Sequence, residues 1–299
     1  MPGVSDQREK DLKRAFSEDP GLSEQLFDLL DSVFPGVREV AQNARALGAS
    51  WESVSTPFVC FEQGRPVSHV GVIELSLVVL GKIIRVGSIH GVATLSDCRR
   101  RGLFRKAMDA ALEHCATLYE TLILTTEYPE YFEPFGFRVV QEHVFTSKVD
   151  SDGHAEGFRL IDTKAGDDVA LLHRLLETRE PISNVLGVVN EKAVFCFNEG
   201  SRPFHYAKDL DAIVCMEREG NVLKLFDIVG PKIPPLHAIL ERTPERVEEV
   251  EICFSPDRLS VDAIATPYIL DHDGLSYFMV RGPFAAEGET YKLPRSART

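Results

Sequence analysis

The stretch that most limits what this chain can become is residues 86–115, VGSIHGVATLSDCRRRGLFRKAMDAALEHC. Leu103, Phe104, Ala107, Met108, Ala111, Leu112 and Cys115 recur at helical spacing, with Arg105, Lys106, Asp109, Glu113 and His114 largely on the other face, so a helix is expected there. Ahead of it, Val86, Ile89, Val92 and Thr94 suit an extended segment. Between the two stands Arg99-Arg100-Arg101-Gly102-Leu103-Phe104. The first turn of a helix has backbone N–H groups with no internal partner, and it is the positive end of the macrodipole. Gly102 lets the main chain come close to a ligand. Three guanidiniums add charge and donors that fit phosphate oxygens. A strand, a basic glycine loop and a helix in this order form an anion cradle of the kind that holds a pyrophosphate.

The totals narrow the possible partners. At 299 residues the chain has room for a large core and for two domains. Hydrophobic residues at 44% and charged residues at 26% fit an ordinary soluble globular protein. No apolar run is long enough to span a membrane. The opening MPGVSDQREKDLKR is too polar for a secretory signal. A cytoplasmic protein without a membrane partner is therefore expected. The net charge of −13 argues against a nucleic-acid partner and leaves the CRRRG loop as a local positive spot suited to a small phosphorylated ligand. Cys60, Cys98, Cys115, Cys196, Cys215 and Cys253 form no C-x-x-C pair, so buried free thiols are expected. Cys98 borders the basic loop, where a thiol pKa can be lowered, but no nearby base marks it for chemistry. His69, His143 and His205 lack metal-ligand spacing, and there is no G-x-x-x-x-G-K-[ST], H-E-x-x-H or G-x-S-x-G. No metal site is expected.

Along the chain, a short strand is expected near 12–16, followed by a helix-start signal at Asp19-Pro20-Gly21. Two helices then read through Leu22, Leu26, Leu29, Leu30 and Val33, and through Val37, Val40, Ala44 and Leu47, with Pro35-Gly36 between them. Extended segments over 58–62, 67–80 and 83–94 make an antiparallel meander that leads into the loop. A buried strand at 121–126 follows the helix, so the crossover would be right-handed and the pair parallel. An aromatic loop occupies 128–137, and 139–148 reads as the last strand of the first domain. Ser151-Asp152-Gly153-His154 is a linker signal. Beyond it the order of elements echoes the first half. A strand is expected at 158–161, helices at 167–177 and 189–197, a hairpin over 212–229 and a helix at 235–241. A strand at 247–254, a partly helical 257–270 and a final strand at 275–281 complete the pattern. Gly230-Pro231-Lys232-Ile233-Pro234-Pro235 replaces the basic loop, and prolines donate no N–H to an anion.

The loop, with Arg99 and Gly102 in place, resembles the acetyl-CoA motif of the GNAT (GCN5-related) N-acetyltransferases. Phe104 departs from the small residue usual at its end, and Phe135-Gly136-Phe137 within YFEPFGF is similar to the family's closing Y-x-x-x-G-F segment. The resemblance covers roughly the first half. With the element order echoed in the second half, it implies a mixed α/β (α+β) architecture of two GNAT-like units, each a twisted mixed sheet flanked by helices. Residues 1–150 would form the N-acetyltransferase domain with the acyl-CoA site, and 151–299 a degenerate GNAT-like domain. It also implies acetyl-CoA as co-substrate and transfer to a primary amine by direct attack. The acceptor would be a small molecule or a peptide amino terminus, and the second unit would complete the acceptor pocket or support a homodimer. Carried over by position, Val92, Ala93 and Thr94 would meet pantetheine, while Arg99, Arg100, Arg101, Gly102, Leu103, Phe104 and Arg105 would meet the pyrophosphate.

The catalytic groups stay open at this level. The family's tyrosine, four positions before the closing glycine, is Phe132 here, which cannot donate a proton. Tyr131 is the candidate acid and Tyr128 a weaker one, against a role in packing. His90 is a candidate base near neutral pH, or a hydrogen-bonded sheet histidine. Glu127 is a base through water, or a solvated loop carboxylate. Glu52 and Glu74 are further options, and Trp51 belongs either to the acceptor site or to the core. The alternative to catalysis is a non-catalytic acyl-CoA-binding sensor, which Phe132 supports.

Overall fold

The computed structural model describes residues 12–19, 21–153, 157–189, 191–271 and 274–299. Helices α1 (Leu22–Val33) and α2 (Val37–Ala46) come first. They are separated at Gly36, whose φ of +89° suits a residue without Cβ. The strand expected near residue 12 is a single bridge from Lys13 to Phe58. Pro20 of the helix-start signal lies outside the described residues.

Strands β1 (Ser55–Glu62), β2 (Arg65–Val79) and β3 (Lys82–Thr94) form the expected antiparallel meander. Both hairpin turns are two residues long with positive φ throughout, Gln63-Gly64 and Leu80-Gly81. That geometry matches the twist of the strands it joins. Helix α3 (Leu103–Cys115) buries Ala107, Met108, Ala110, Ala111 and Cys115. It carries the chain to β4 (Leu122–Thr126), which lies parallel to β3. Short 3-10 turns at Pro129–Tyr131 and Glu133–Phe135 follow, then β5 (Arg138–Val139) and β6 (Glu142–Ser151).

The remaining elements are β7 (Arg159–Leu160), α4 (Gly166–Thr178), β8 (Leu186–Val189), α5 (Lys192–Glu199), β9 (His205–Ala207) and β10 (Ala212–Glu219). After them come β11 (Val222–Val229), α6 (Leu236–Leu240), β12 (Val247–Ile252), β13 (Ile264–Tyr268) and β14 (Tyr277–Arg281). Two seven-stranded mixed sheets result. The first runs β1-β2-β3-β4-β14-β5, with β8 paired to the far end of β2. The second runs β13-β6-β12-β11-β10-β9-β7. In the second, β11 and β12 are parallel and joined through α6, so each sheet holds one strand–helix–parallel-strand unit. The fold is mixed α/β, as the sequence implies.

Several elements differ from the sequence reading. The strand expected over 139–148 does not close the first sheet: only Arg138–Val139 pairs there, and β6 passes into the second. Glu142 explains the switch. It is buried, accepts from Leu293 N–H at 2.8 Å and pairs with Arg298, partners that no local pattern reveals. The vacated edge of β4 is taken by β14. The helix expected over 189–197 starts at Lys192, where the Glu191 carboxylate accepts from Val194 N–H. The residues just before it are strand β8, whose Leu186 and Val188 are buried. The partly helical 257–270 is instead strand β13. Pro267 is unsuited to a helix interior but acceptable on a sheet edge, where β13 lies. His154 of the linker signal lies outside the described residues.

The segment 291–299 threads between the sheets. Arg295 forks onto Glu199 at 2.9 and 2.8 Å, reaches Glu217 at 3.2 Å and lies over the Phe226 ring. Ser296 donates to Asp227, which also holds Arg179 at 2.8 Å. Arg298 pairs with Glu142, and its carbonyl accepts from Asn198 at 2.8 Å. Each guanidinium here meets a carboxylate, the condition under which a buried charge is tolerated, although Arg179 Nε and Nη1 have no partner among the described residues.

Candidate active site

Strands β3 and β4 pair only at Gly87↔Leu122 and Ser88↔Ile123. Beyond those residues β3 stays with β2, while β4 pairs with β14. The parallel pair therefore splays, and the β3 edge from His90 to Thr94 faces an opening with its main-chain groups unclaimed by β4. Val92, Ala93 and Thr94 lie on that edge. The backbone itself is shaped here. Gly91 takes φ +56°, and the β2–β3 register shifts between His69 and Gly71, the signature of a bulge that re-aims a strand.

At the apex of the splay sits Thr299, a residue the sequence reading passed over. Its hydroxyl bonds to Ser88 Oγ, and its carbonyl accepts from Thr125 Oγ1 at 2.8 Å. The buried ion pairs of 291–298 deliver it there.

The basic loop lies at the open end. Gly102 takes φ +77°, and a Cβ at this position would meet nothing within 4 Å. No side chain caps α3. Its first internal hydrogen bond runs from Lys106 N–H to Gly102 O at 3.0 Å, which leaves the Leu103, Phe104 and Arg105 amides to other acceptors. The four arginines are placed differently. Arg99 Nε donates to Thr94 O at 3.2 Å, Arg101 forks onto Glu62 at 2.6 and 3.1 Å, and Arg105 lies over the Phe135 ring. Phe104 packs edge-on against Phe132 and Phe135, so its bulk is absorbed by a phenylalanine cluster. An uncapped helix N-terminus behind a Cβ-free residue, next to an unpaired strand edge, fits an extended ligand with a phosphate-bearing end.

The catalytic candidates divide. His90 lies on β3 beside the opening, bonded through Nε2 to Ser55 Oγ at 2.8 Å. Trp51, His69 and His90 stand edge-on to one another, 6.0 to 6.5 Å between ring centroids. Burial, with His69 adding to it, pushes the His90 imidazole down to about 3. Burial takes His69 down to about 4, against the opposing pull of its bond to Gly91 O. Both rings are neutral near pH 7. Trp51 is buried, packed by Phe16 and Phe27, and also covers the histidine pair. Tyr131 is 57% exposed and stacks on Tyr128, whereas Phe132 is buried. Glu127 is exposed where β4 ends. Glu52 is held by Ser23, Ser50 and Arg45, hydrogen bonds that outweigh burial and hold its carboxyl below the usual range. Glu74 stands away from the opening, opposite Gly87 and near Arg85. The thiol of Cys98 moves opposite to the effect expected of a basic loop: burial and then Asp97 push it up. All six cysteines are buried and none forms a disulfide among the described residues. Among the described residues no cluster of three metal-ligating side chains is present, and no helix is long and apolar enough to cross a membrane.

Residues 19–140, which contain the splay, the loop and the closing aromatic segment, match the family model of an acetyltransferase (GNAT) domain. Residues 19–140 are similar to GNAT acetyltransferase domains. Solved structures share the fold across both sheets. A conserved protein of Enterococcus faecalis V583, described as a probable N-acyltransferase, aligns with TM-score 0.58 and 13% identity over 91% of this chain and 71% of that one. Eis1 from Mycobacterium abscessus aligns with TM-score 0.54 and 12% identity, over 90% and 72%. A GCN5-related N-acetyltransferase from Kribbella flavida aligns with TM-score 0.52 and 14% identity, over 88% and 69%. At such identities the likeness is one of fold. No curated protein matches the chain.

Proposed function

We propose that this GNAT domain transfers an acetyl group from acetyl-CoA to a primary amine by direct attack, the acceptor being a small molecule or a peptide amino terminus. The observation that carries this reading is the adjacency of the open β3 edge and the uncapped α3 N-terminus behind Gly102. Val92, Ala93 and Thr94 would offer main-chain groups to the pantetheine arm. The amides of Leu103, Phe104 and Arg105, with the arginines of the loop, would take the pyrophosphate. Acetyl-CoA, when bound, supplies an activated acyl carbon.

The rest is the work of the protein. Two reactants held in line at the splay gain much of the rate from positioning alone. His90, neutral and beside the opening, can accept a hydrogen bond from the incoming amine, and Glu127 can accept its proton through water. The Tyr131 phenol can return a proton to the leaving thiolate. We also take residues 151–299 as a degenerate GNAT-like unit in tandem with 1–150, the basic loop replaced by the proline-rich 230–235. It would complete the acceptor side or support a homodimer. The proposed setting is the cytoplasm, with no metal, nucleic acid or membrane involved.

The test is release of CoA thiol from acetyl-CoA across a panel of primary amines. A second reading, a non-catalytic acyl-CoA sensor, is favoured by the buried Phe132 at the family's tyrosine position. Tight CoA binding with no thiol release across the panel would favour the sensor.

A further inference from the structure

One buried side chain beside the opening has no part in the site described so far. His69, on β2, is fully buried. The β2–β3 ladder slips next to it. His69 pairs with Ala93 and Gly71 with His90, so Gly91 and Val92 stand opposite Val70 alone. A bulge of this kind, led by a left-handed glycine, leaves its extra residue outside the ladder. Gly91, at φ +56°, is that glycine, and its carbonyl is held by His69 Nδ1 at 2.6 Å. The ring packs so near that a Cβ on Gly91 would stand 3.3 Å from it. A carbonyl only accepts, so Nδ1 carries the proton and the neutral ring has its lone pair on Nε2. That Nε2 is buried with no partner among the described residues, and so is Nε1 of Trp51, whose ring stands edge-on to the imidazole. An apolar side chain in this place would bury no unmade hydrogen bond of its own. The imidazole is therefore kept at a cost to stability, and its bond to Gly91 is the use the structure shows for it.

Resting on the acyl-transfer reading above, we propose that His69 is a positioning residue, which fixes the Gly91–Val92 peptide of β3 for the transfer step. A trans peptide holds its C=O and N–H on opposite sides. With Gly91 O tied to His69, the Val92 N–H turns away from that ring, toward the side of β3 that β4 leaves open. This peptide lies at the end of the open edge farthest from the basic loop, next to His90, where the acyl group and the amine would meet. His69 touches neither reactant. It holds the one peptide of this edge that the ladder does not hold.

The experiment compares steady-state transfer from acetyl-CoA, to the best amine of the panel, for the full-length wild type, His69→Gln and His69→Asn, each checked for a cooperative thermal transition. The side-chain amide nitrogen of asparagine can take the place of Nδ1, and that of glutamine the place of Nε2, so only asparagine can still donate to Gly91 O. We expect His69→Gln to lower kcat by about tenfold or more, as misplacement of reacting groups does. Its KM for acetyl-CoA should stay within about threefold, because the loop keeps its hold on the nucleotide end. His69→Asn should recover most of the lost kcat, which a merely space-filling role would not produce. A smaller fall in kcat, a loss confined to KM, or an asparagine variant no better than glutamine overturns this proposal alone. Nitrogen NMR of the 15N-histidine-labelled wild type tests it without a variant. The His69 ring must carry its proton on Nδ1 at pH 7, and a proton on Nε2 instead overturns the proposal. A folded wild type that releases no thiol with any amine overturns the transfer reading and this proposal with it.

Discussion

His90 Nε2 lies 2.8 Å from Ser55 Oγ, and the same nitrogen occupies the space where a Cβ on Gly71 would stand, 2.2 Å from that position. The histidine is thus fixed between β1 and a glycine on β2, with Trp51 and His69 against it. Gly71→Ala should evict the ring from this slot. Overpacking of this kind destabilises by about 1–3 kcal/mol. A lower thermal midpoint, together with reduced transfer, is expected. A variant as stable and as active as the wild type would show that His90 is free to move.

The buried histidine pair sets a pH dependence of stability. Unfolded imidazoles titrate near 6.5, and here His69 is lowered to about 4 and His90 to about 3. Below 6.5 the unfolded chain binds more protons, so the contribution is whole above 6.5 and is lost as the pH falls toward 4. At pH 5 each group removes about 2 kcal/mol. Urea denaturation at pH 7 and pH 5 reads the loss, which should be about 2 kcal/mol smaller in His69→Gln. An unchanged pH dependence in that variant would contradict the burial argument.

Arg298 and Glu142 are each less than a tenth exposed. Removing one partner strands the other charge, at about 3–5 kcal/mol. Arg298→Met should therefore lower the unfolding free energy by that amount. It should also release Thr299 from Ser88 and Thr125, which a loss of transfer under folded conditions would report. Wild-type stability in Arg298→Met would mean that the pair is solvated.

If Tyr131 is the acid, Tyr131→Phe should lower kcat by about 100-fold or more with little change in the KM for acetyl-CoA. Its exposure makes the substitution structurally mild, so the fold is not at issue. An unaltered kcat would remove Tyr131 from the chemistry and leave the reaction to positioning.

Local signals were enough for much of this site. Helical spacing located α1, α2 and α3, and the Gln63-Gly64 and Leu80-Gly81 turns marked the meander. The arginines and Gly102 marked the loop because their chemistry is local. What stayed hidden depends on contacts between distant residues. The 291–299 segment reads as polar, with Lys292, Arg295 and Arg298, yet it is buried because its partners Glu199, Glu217 and Glu142 come from β6, β10 and α5. The same long-range pairing drew β6 into the second sheet and left β14 to take its place. His90 read as a group titrating near neutrality, because neither Gly71 nor Trp51 announces in sequence that it will enclose an imidazole. Three arginines in a row carried no hint that Glu62 would occupy one of them.

The central claim is that the loop and the open β3 edge bind acetyl-CoA, and calorimetric titration of the wild type beside Gly102→Glu tests it most directly. Gly102 has open space around its Cβ position, so the substitution strains the backbone by only about 1–2 kcal/mol while setting a carboxylate at the uncapped α3 N-terminus. We predict saturable binding to the wild type and none to a folded Gly102→Glu protein. A folded wild type that takes up no acetyl-CoA would contradict the account.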